Sequence, residues 1–299
     1  MKMKYFAILL TLLLVACNDP VEKKSSGRIK AVSTITIIND MVKFIGGDKV
    51  EAVSICAIGR DPHTYVPKPS DPREIATSDI VFINGLGLEH WIEQMIVNAG
   101  GERPVITVSK GIEPLYDDAG YGDPDPHAWF DLNRVKTYAR NITNGLISVD
   151  PVNKSYYEEN LKKYIAEINH VDSESKELIA KIDTGSRVLI TSHDAFRYFG
   201  KAYGMEVYAL QGISTEAKPR TEDIKKIIDL IKERNIKAVF IETTVNPALI
   251  KQITQETGAV IGGTLYSDSI GEPGSEGDTF LKAFQTNVNT ITESLKYNN

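Results

Sequence analysis

DPVNKSYYEENLKKYIAEINHVDSESKELIAKI, residues 150–182, is the stretch on which the reading of the fold turns. It opens with Asp150, suited to cap a helix, and Pro151, suited to the first helical position, and it holds no glycine. Tyr157, Leu161, Tyr164, Ile168, Val171, Leu178 and Ile182 step by three and four, with Ser175 the one polar interruption, so a single apolar stripe runs along it. The spacing predicts one helix of about 48 Å. A coiled-coil dimer would show a similar stripe, and the patterns on either side decide between the two.

Upstream, apolar runs rich in Val and Ile recur between amphipathic stretches, at Lys30 to Ile38, Val50 to Cys56, Ile80 to Asn84 and Pro104 to Val108. Downstream the alternation returns at Arg187 to Thr191, Glu206 to Leu210, Lys237 to Glu242 and Ala259 to Leu265, with helix-like Thr221 to Arg234 and Pro247 to Glu256 among them. Strand–helix alternation of this kind implies parallel sheets covered by helices, with binding groups beyond the carboxyl ends of the strands. The expected fold class is therefore α/β. Two lobes, 29–149 and 185–299, each carry a parallel β-sheet flanked by helices, and one long rigid α-helix over 150–184 joins them. A chain of 299 residues has room for two such cores.

Lys and Arg total 34 against 40 Asp and Glu, a net charge of −6, with no basic stripe to track a phosphate backbone, so no nucleic-acid partner is expected. Apolar residues at 42% and charged residues at 25% match a soluble globular protein. The start departs from this balance. Lys2 and Lys4 precede an apolar run from Phe6 to Val15, too short to cross a bilayer, which reads as a secretory signal over 1–16. Its end, Leu-Val-Ala-Cys at 14–17, resembles the lipobox of bacterial lipoproteins. That makes Cys17 the lipidation site and the protein an exported one, held to the cell envelope only by lipid. The polar residues up to 28 form a flexible tether, and Cys56, left without a disulfide partner, is expected as a small buried core residue.

Two of the five histidines sit in near-identical pentads, Asp-Pro-His-Thr-Tyr at 61–65 and Asp-Pro-His-Ala-Trp at 125–129. Proline fixes its own φ and restricts the Asp before it, so each imidazole is presented from a stiff turn, as a metal ligand requires. Each Asp and each aromatic is a candidate to orient its ring. His193 follows strand-like Val188 to Thr191 in Ser-His-Asp-Ala-Phe at 192–196, and Asp268 follows the last strand in Tyr-Ser-Asp-Ser at 266–269, near a Gly262-Gly263 pair read as a tight turn. Three imidazoles and a carboxylate complete four-coordination around a divalent transition metal, and their spacing is far too long for a local zinc knuckle. His90 and His170 are read as structural.

Together with Gly-Ile-Ser-Thr-Glu-Ala at 212–217, these motifs occur in an order that resembles the substrate-binding lipoproteins of bacterial zinc and manganese ABC importers, bacterial solute-binding protein family 9. The resemblance covers the chain from about Arg28 to Tyr297. It implies two α/β lobes joined by a rigid helix, one Zn2+ or Mn2+ ion as transported cargo between them, and delivery to a membrane permease. It places the ligands at His63, His127, His193 and Asp268, in a chain expected to be a monomer and not an enzyme. Two departures bear on the metal. Residues Glu113 to Asp125 are short, acidic and free of histidine, unlike the histidine-rich insertion of zinc-dedicated members, and His193 stands where manganese-dedicated members often carry Glu. No phosphate-binding loop is present, so ATP hydrolysis falls to a partner. The competing readings are a metal-dependent hydrolase, which would keep an open metal position and a base, and a surface adhesive lipoprotein with a structural metal.

Overall fold

A computed structural model describes residues 27–116 and 122–296. The signal read at 1–16, Cys17 and the tether up to 26 lie outside the described residues.

In the first lobe the chain runs β1 (Ile29–Ser33), α1 (Thr36–Gly46), β2 (Val50–Ser54), α2 (Asp71–Ala76), β3 (Ile80–Ile83), α3 (Ile92–Ala99), β4 (Val105–Thr107) and α4 (Leu132–Val149). The strands form one parallel sheet in the order β2-β1-β3-β4. The run expected as one strand from Lys30 to Ile38 divides, because its second half opens α1. Ile37, Ile38, Met41, Val42 and Ile45 of that helix are all buried at helical spacing with Lys43 on the exposed side, but the apolar run up to Ile38 contains only the first turn of that pattern. Asp131 caps α4 by accepting a hydrogen bond from the Asn133 amide at 2.9 Å. Gly145 lets α4 lie close on the sheet, since a Cβ there would come within 2.8 Å of Phe82 and 3.0 Å of Ile106.

The connecting helix α5 covers Lys154–Ile179, 26 residues or about 39 Å. Its start differs from the expected one, because Pro151–Asn153 forms a 3-10 turn ahead of it. Asp150 does not cap through its side chain there: the carboxylate is taken up by Tyr157 Oη at 2.6 Å and Asn153 Nδ2 at 2.7 Å. Tyr157, Tyr164 and Ile168 are buried along the stripe, which past Ile168 shifts to Ile179 and leaves Val171 and Leu178 half-buried. Ser175, the polar interruption, is also buried and is satisfied by donating to the Val171 carbonyl at 2.6 Å.

The second lobe holds β5 (Val188–His193), α6 (Arg197–Tyr203), β6 (Glu206–Gln211), α7 (Thr221–Glu233), β7 (Ala238–Glu242), α8 (Ala248–Thr257), β8 (Val260–Leu265) and α9 (Phe280–Leu295). β5 pairs with β6 and β7 with β8, both parallel, and β5 lies beside β7. Gly262 and Gly263 make no tight turn. They lie within β8, where α9 packs so closely that a Cβ on Gly262 would meet Phe240 and Ser294 at 2.9 Å.

One apolar cluster runs through both lobes, from Ile38 and Met41 of α1 through Tyr138 of α4 and Tyr164 of α5 to Phe284 and Ile291 of α9. Cys56 is buried within it. Polar contacts reinforce the seam between the lobes, where the Phe280 amide at the start of α9 donates to Asp40 Oδ2 on α1 at 2.8 Å. Among the described residues no helix is long and apolar enough to cross a membrane.

Candidate metal centre

The chain leaves the carboxyl end of β2 and reaches His63 through the Asp61-Pro62 turn. Asp61 Oδ1 accepts the His63 amide at 2.9 Å, Asp61 Oδ2 accepts the Thr64 hydroxyl at 3.0 Å, and Trp91 Nε1 donates to the Pro62 carbonyl at 2.9 Å. The second pentad uses its Asp differently. Asp125 Oδ1 accepts the His127 amide at 2.9 Å and also lies 2.8 Å from the ring Nδ1, which turns Nε2 toward the other histidines. Trp129 packs edge-on against the His127 ring, 5.2 Å between centroids, and its Nε1 donates to the Ser267 carbonyl across the seam.

His193 ends β5, at the carboxyl edge of the strand. Glu242, the last residue of the neighbouring β7, holds it twice: Oε1 accepts the His193 amide at 2.9 Å and Oε2 lies 2.5 Å from ring Nδ1. Asp268 follows β8 by three residues, with Oδ2 accepting from Thr244 Oγ1 at 3.2 Å. The next residue, Ser269, accepts from the Gly59 amide at 2.9 Å and from Thr36 Oγ1 at 3.2 Å, both in the first lobe.

These connections bring the four expected residues together. His63, His127, His193 and Asp268 are all buried, and one ligand-type atom from each lies within 4.8 Å of the others. His63 Nε2 is 3.1 Å from His127 Nε2, and the Asp268 oxygens are 3.5 Å from His127 Nε2 and 3.4 Å from His193 Nε2. A tetrahedral site with bonds of 2.0–2.1 Å has edges of about 3.3–3.4 Å, so the spacing suits donors sharing one small cation. Both His193 ring nitrogens, Glu242 Oε2 and Asp268 Oδ1 are buried without an aligned hydrogen-bond partner, so Glu242 acts on Nδ1 through charge at close range, and a cation among the facing atoms would relieve His193 Nε2 and Asp268 Oδ1.

The electrostatics follow from burial and neighbours. Burial pushes His63 down to about 3, the other imidazoles push the same way and Asp268 only partly opposes them, so its ring is neutral and ready to donate. For His193 burial again pulls down, but the carboxylates of Glu242 and Asp268 overcome it and hold the ring well above the ordinary histidine value. Burial would raise Asp268; His193, His127 and His63 reverse this and keep it ionised. Once a cation takes the place of the proton on His193, the cluster offers ring nitrogens and one anionic oxygen, borderline donors of the kind zinc and neighbouring first-row metals take.

The two histidines read as structural stay outside the cluster. His170 is exposed on α5, while His90 lines the mouth of the centre. There a cavity of about 410 Å3 reaches from His63 between the lobes, bounded by Leu86 and His90 on one side and by Asp194 and Gly212 to Ser214 on the other. Glu242 is the functional residue that sequence reading missed. It ends a strand like any other acid, and only the neighbouring of β5 and β7 puts it on His193.

Two α/β lobes on a rigid helix, meeting at a buried cluster of three imidazoles and a carboxylate, define the class of two-lobe receptors with a small-ion site at the seam. The chain belongs to the family described as zinc-uptake complex component A, periplasmic, which it matches over residues 31–294. It is 35% identical over 291 residues to the manganese ABC transporter substrate-binding lipoprotein PsaA of Streptococcus anginosus, covering 94% of each chain. It is also 35% identical over 298 residues to the iron ABC transporter substrate-binding lipoprotein MtsA of Streptococcus pyogenes serotype M1, covering 97% of this chain and 96% of that one. In structure it resembles the periplasmic zinc-binding protein TroA of Treponema pallidum, with a TM-score of 0.86 and 29% identity over 90% of this chain and 99% of that one.

Proposed function

We propose that the protein is the metal-binding receptor of a bacterial ABC importer, capturing one Zn2+ or Mn2+ ion between His63, His127, His193 and Asp268 and delivering it to a membrane permease. The observation that carries this reading is the convergence of four buried donors from opposite lobes within 4.8 Å of one another. All four positions of a tetrahedron are filled by protein, so the site is built to hold an ion and not to present it to a reacting water, as a catalytic zinc would. The chain acts as a binding protein and not an enzyme. It works as a monomer, lobes 29–149 and 185–299 on the connector 150–184, exported and tethered through a lipid on Cys17. Its relatives bear names for manganese, iron and zinc. The nitrogen-rich donor set favours zinc over manganese in intrinsic affinity, so zinc binds at least as tightly in vitro.

Calorimetry and elemental analysis of the metal-stripped mature chain test the proposal. One ion per molecule is expected, with His63→Ala and His127→Ala each lowering affinity at least about 100-fold while far-UV circular dichroism stays unchanged. Affinity falls as the pH is lowered, because imidazole must be neutral to bind. Failure of the stripped protein to take up either ion would end the receptor reading.

A further inference from the structure

The motif Gly-Ile-Ser-Thr-Glu-Ala at 212–217 contributes no donor to the cluster, yet it forms one wall of the cavity that leads to His63. The two walls are held very differently. On the first-lobe side the buried Glu89 carboxylate fixes the loop after β3, accepting from Thr34 Oγ1 at 2.5 Å, the Asn84 amide at 2.6 Å and the Gly85 amide at 3.1 Å. Asn84 in turn donates to the Pro126 carbonyl beside His127 at 3.0 Å. That wall is one with the ligand-bearing turns.

On the second-lobe side the loop rests on long contacts. Asp194 N to Gly212 O, Glu216 N to Ser214 Oγ and Gln211 Nε2 to Ala217 O are each 3.3 Å, at or beyond the outer edge of useful hydrogen-bond length. Against these, Thr215 Oγ1 donates to Asp61 Oδ2 at 2.5 Å. The bond is short, charge-assisted and crosses the seam between the lobes. Its acceptor is the carboxylate whose other oxygen holds the His63 amide.

We propose that residues 212–217 are the gate through which the ion leaves and that the Thr215–Asp61 hydrogen bond is its latch. This rests on the receptor reading above. Asp61 couples the two events: while Thr215 is docked, the His63 turn is braced from the second lobe and the mouth is narrowed. Once the bond breaks, a loop with only weak local contacts swings away and the turn loses one of its supports. Thr215 is thus a positioning residue for retention of the ion, acting on its escape and not on its coordination.

The test is the release of zinc from the preloaded mature chain into excess chelator, followed by stopped flow. Thr215→Val keeps the shape and removes the donor, and release is expected about tenfold faster, the effect of losing one charge-assisted hydrogen bond. Thr215→Ala should act in the same direction, while Thr215→Ser, which keeps the hydroxyl, should match the natural chain. The melting temperature of the metal-free protein should differ by no more than a few degrees among all four, since a single half-buried hydrogen bond is at stake. Release from Thr215→Val and Thr215→Ala at the natural rate overturns the latch and leaves the receptor standing. A natural chain that binds neither zinc nor manganese removes both.

Discussion

Glu242 faces one ring nitrogen of His193, a ligand in the proposed function. With a carboxylate 2.5 Å from Nδ1, His193 keeps its proton on that nitrogen and leaves Nε2 to face Asp268 and the other rings. In Glu242→Gln the side-chain oxygen can still accept the His193 amide. An NH2 group then faces Nδ1 and favours the opposite tautomer, with the proton on the nitrogen that must bind. Metal affinity should fall roughly 10- to 100-fold, as is common for partners of ligating histidines, in a competition against a chelator of known strength. A change below about threefold would separate Glu242 from the site. The four residues of the cluster were legible in sequence because proline-stiffened turns and strand ends announce themselves locally. Of the residues that aim them, the Asp and aromatic of each pentad were legible only as candidates: both Asp side chains hold a backbone amide, but Asp125 also lies against its ring while Asp61 takes the hydroxyl of Thr215, and Glu242 gave no signal at all.

Between elements, the contact of α1 with α9 depends on Asp40, whose carboxylate caps the first amide of α9. Burial raises this carboxyl to about 6; the Phe280 amide and Lys43 and Lys282 pull it down and Asp278 pushes it up, without reversing the result. A group raised on folding favours the folded state most at pH below its unfolded value of 3.8, and that contribution is lost as the pH climbs through about 6. At neutral pH ionised Asp40 is therefore a cost. Asn at this position still accepts the amide and carries no charge, so Asp40→Asn should stabilise by about 2 kcal/mol at pH 8 and by nearly nothing at pH 4 in urea unfolding. Equal effects at both values would contradict the assignment.

Elements were read well where their period shows along the whole length and badly where an apolar run crosses a boundary. The stripe of α5 was plain because its other faces are charged. Its start moved because Asp150 found Tyr157 and Asn153 instead of a backbone amide. The first turn of α1 continues the apolar run of β1 with almost no break, so it hid inside an apparent strand. The glycines of β8 look like a turn in sequence, and their true purpose depends on the approach of α9, fixed by residues some thirty positions away.

For the molecule as a whole, the shared core matters more than the division into lobes. Side chains of α1, α4, α5, α6 and α9 belong to one cluster, so a lobe cannot open widely without exposing apolar surface that both halves bury. Calorimetric unfolding of the metal-free chain should show a single transition and not one per lobe, and metal should raise it without splitting it. Two resolved transitions would mean the lobes are independent. By the same reasoning, scattering curves of the stripped and loaded chain should nearly superimpose.

The chain has only two tryptophans, and both hold segments that carry residues of the buried cluster. The Trp91 indole is bonded to the carbonyl just before His63, and the Trp129 indole lies against His127 and is bonded to the carbonyl just before Asp268. Ultraviolet emission from the unlabelled protein thus originates on either side of the ion. Its intensity becomes a natural optical gauge of occupancy, with no dye to attach and no site to disturb.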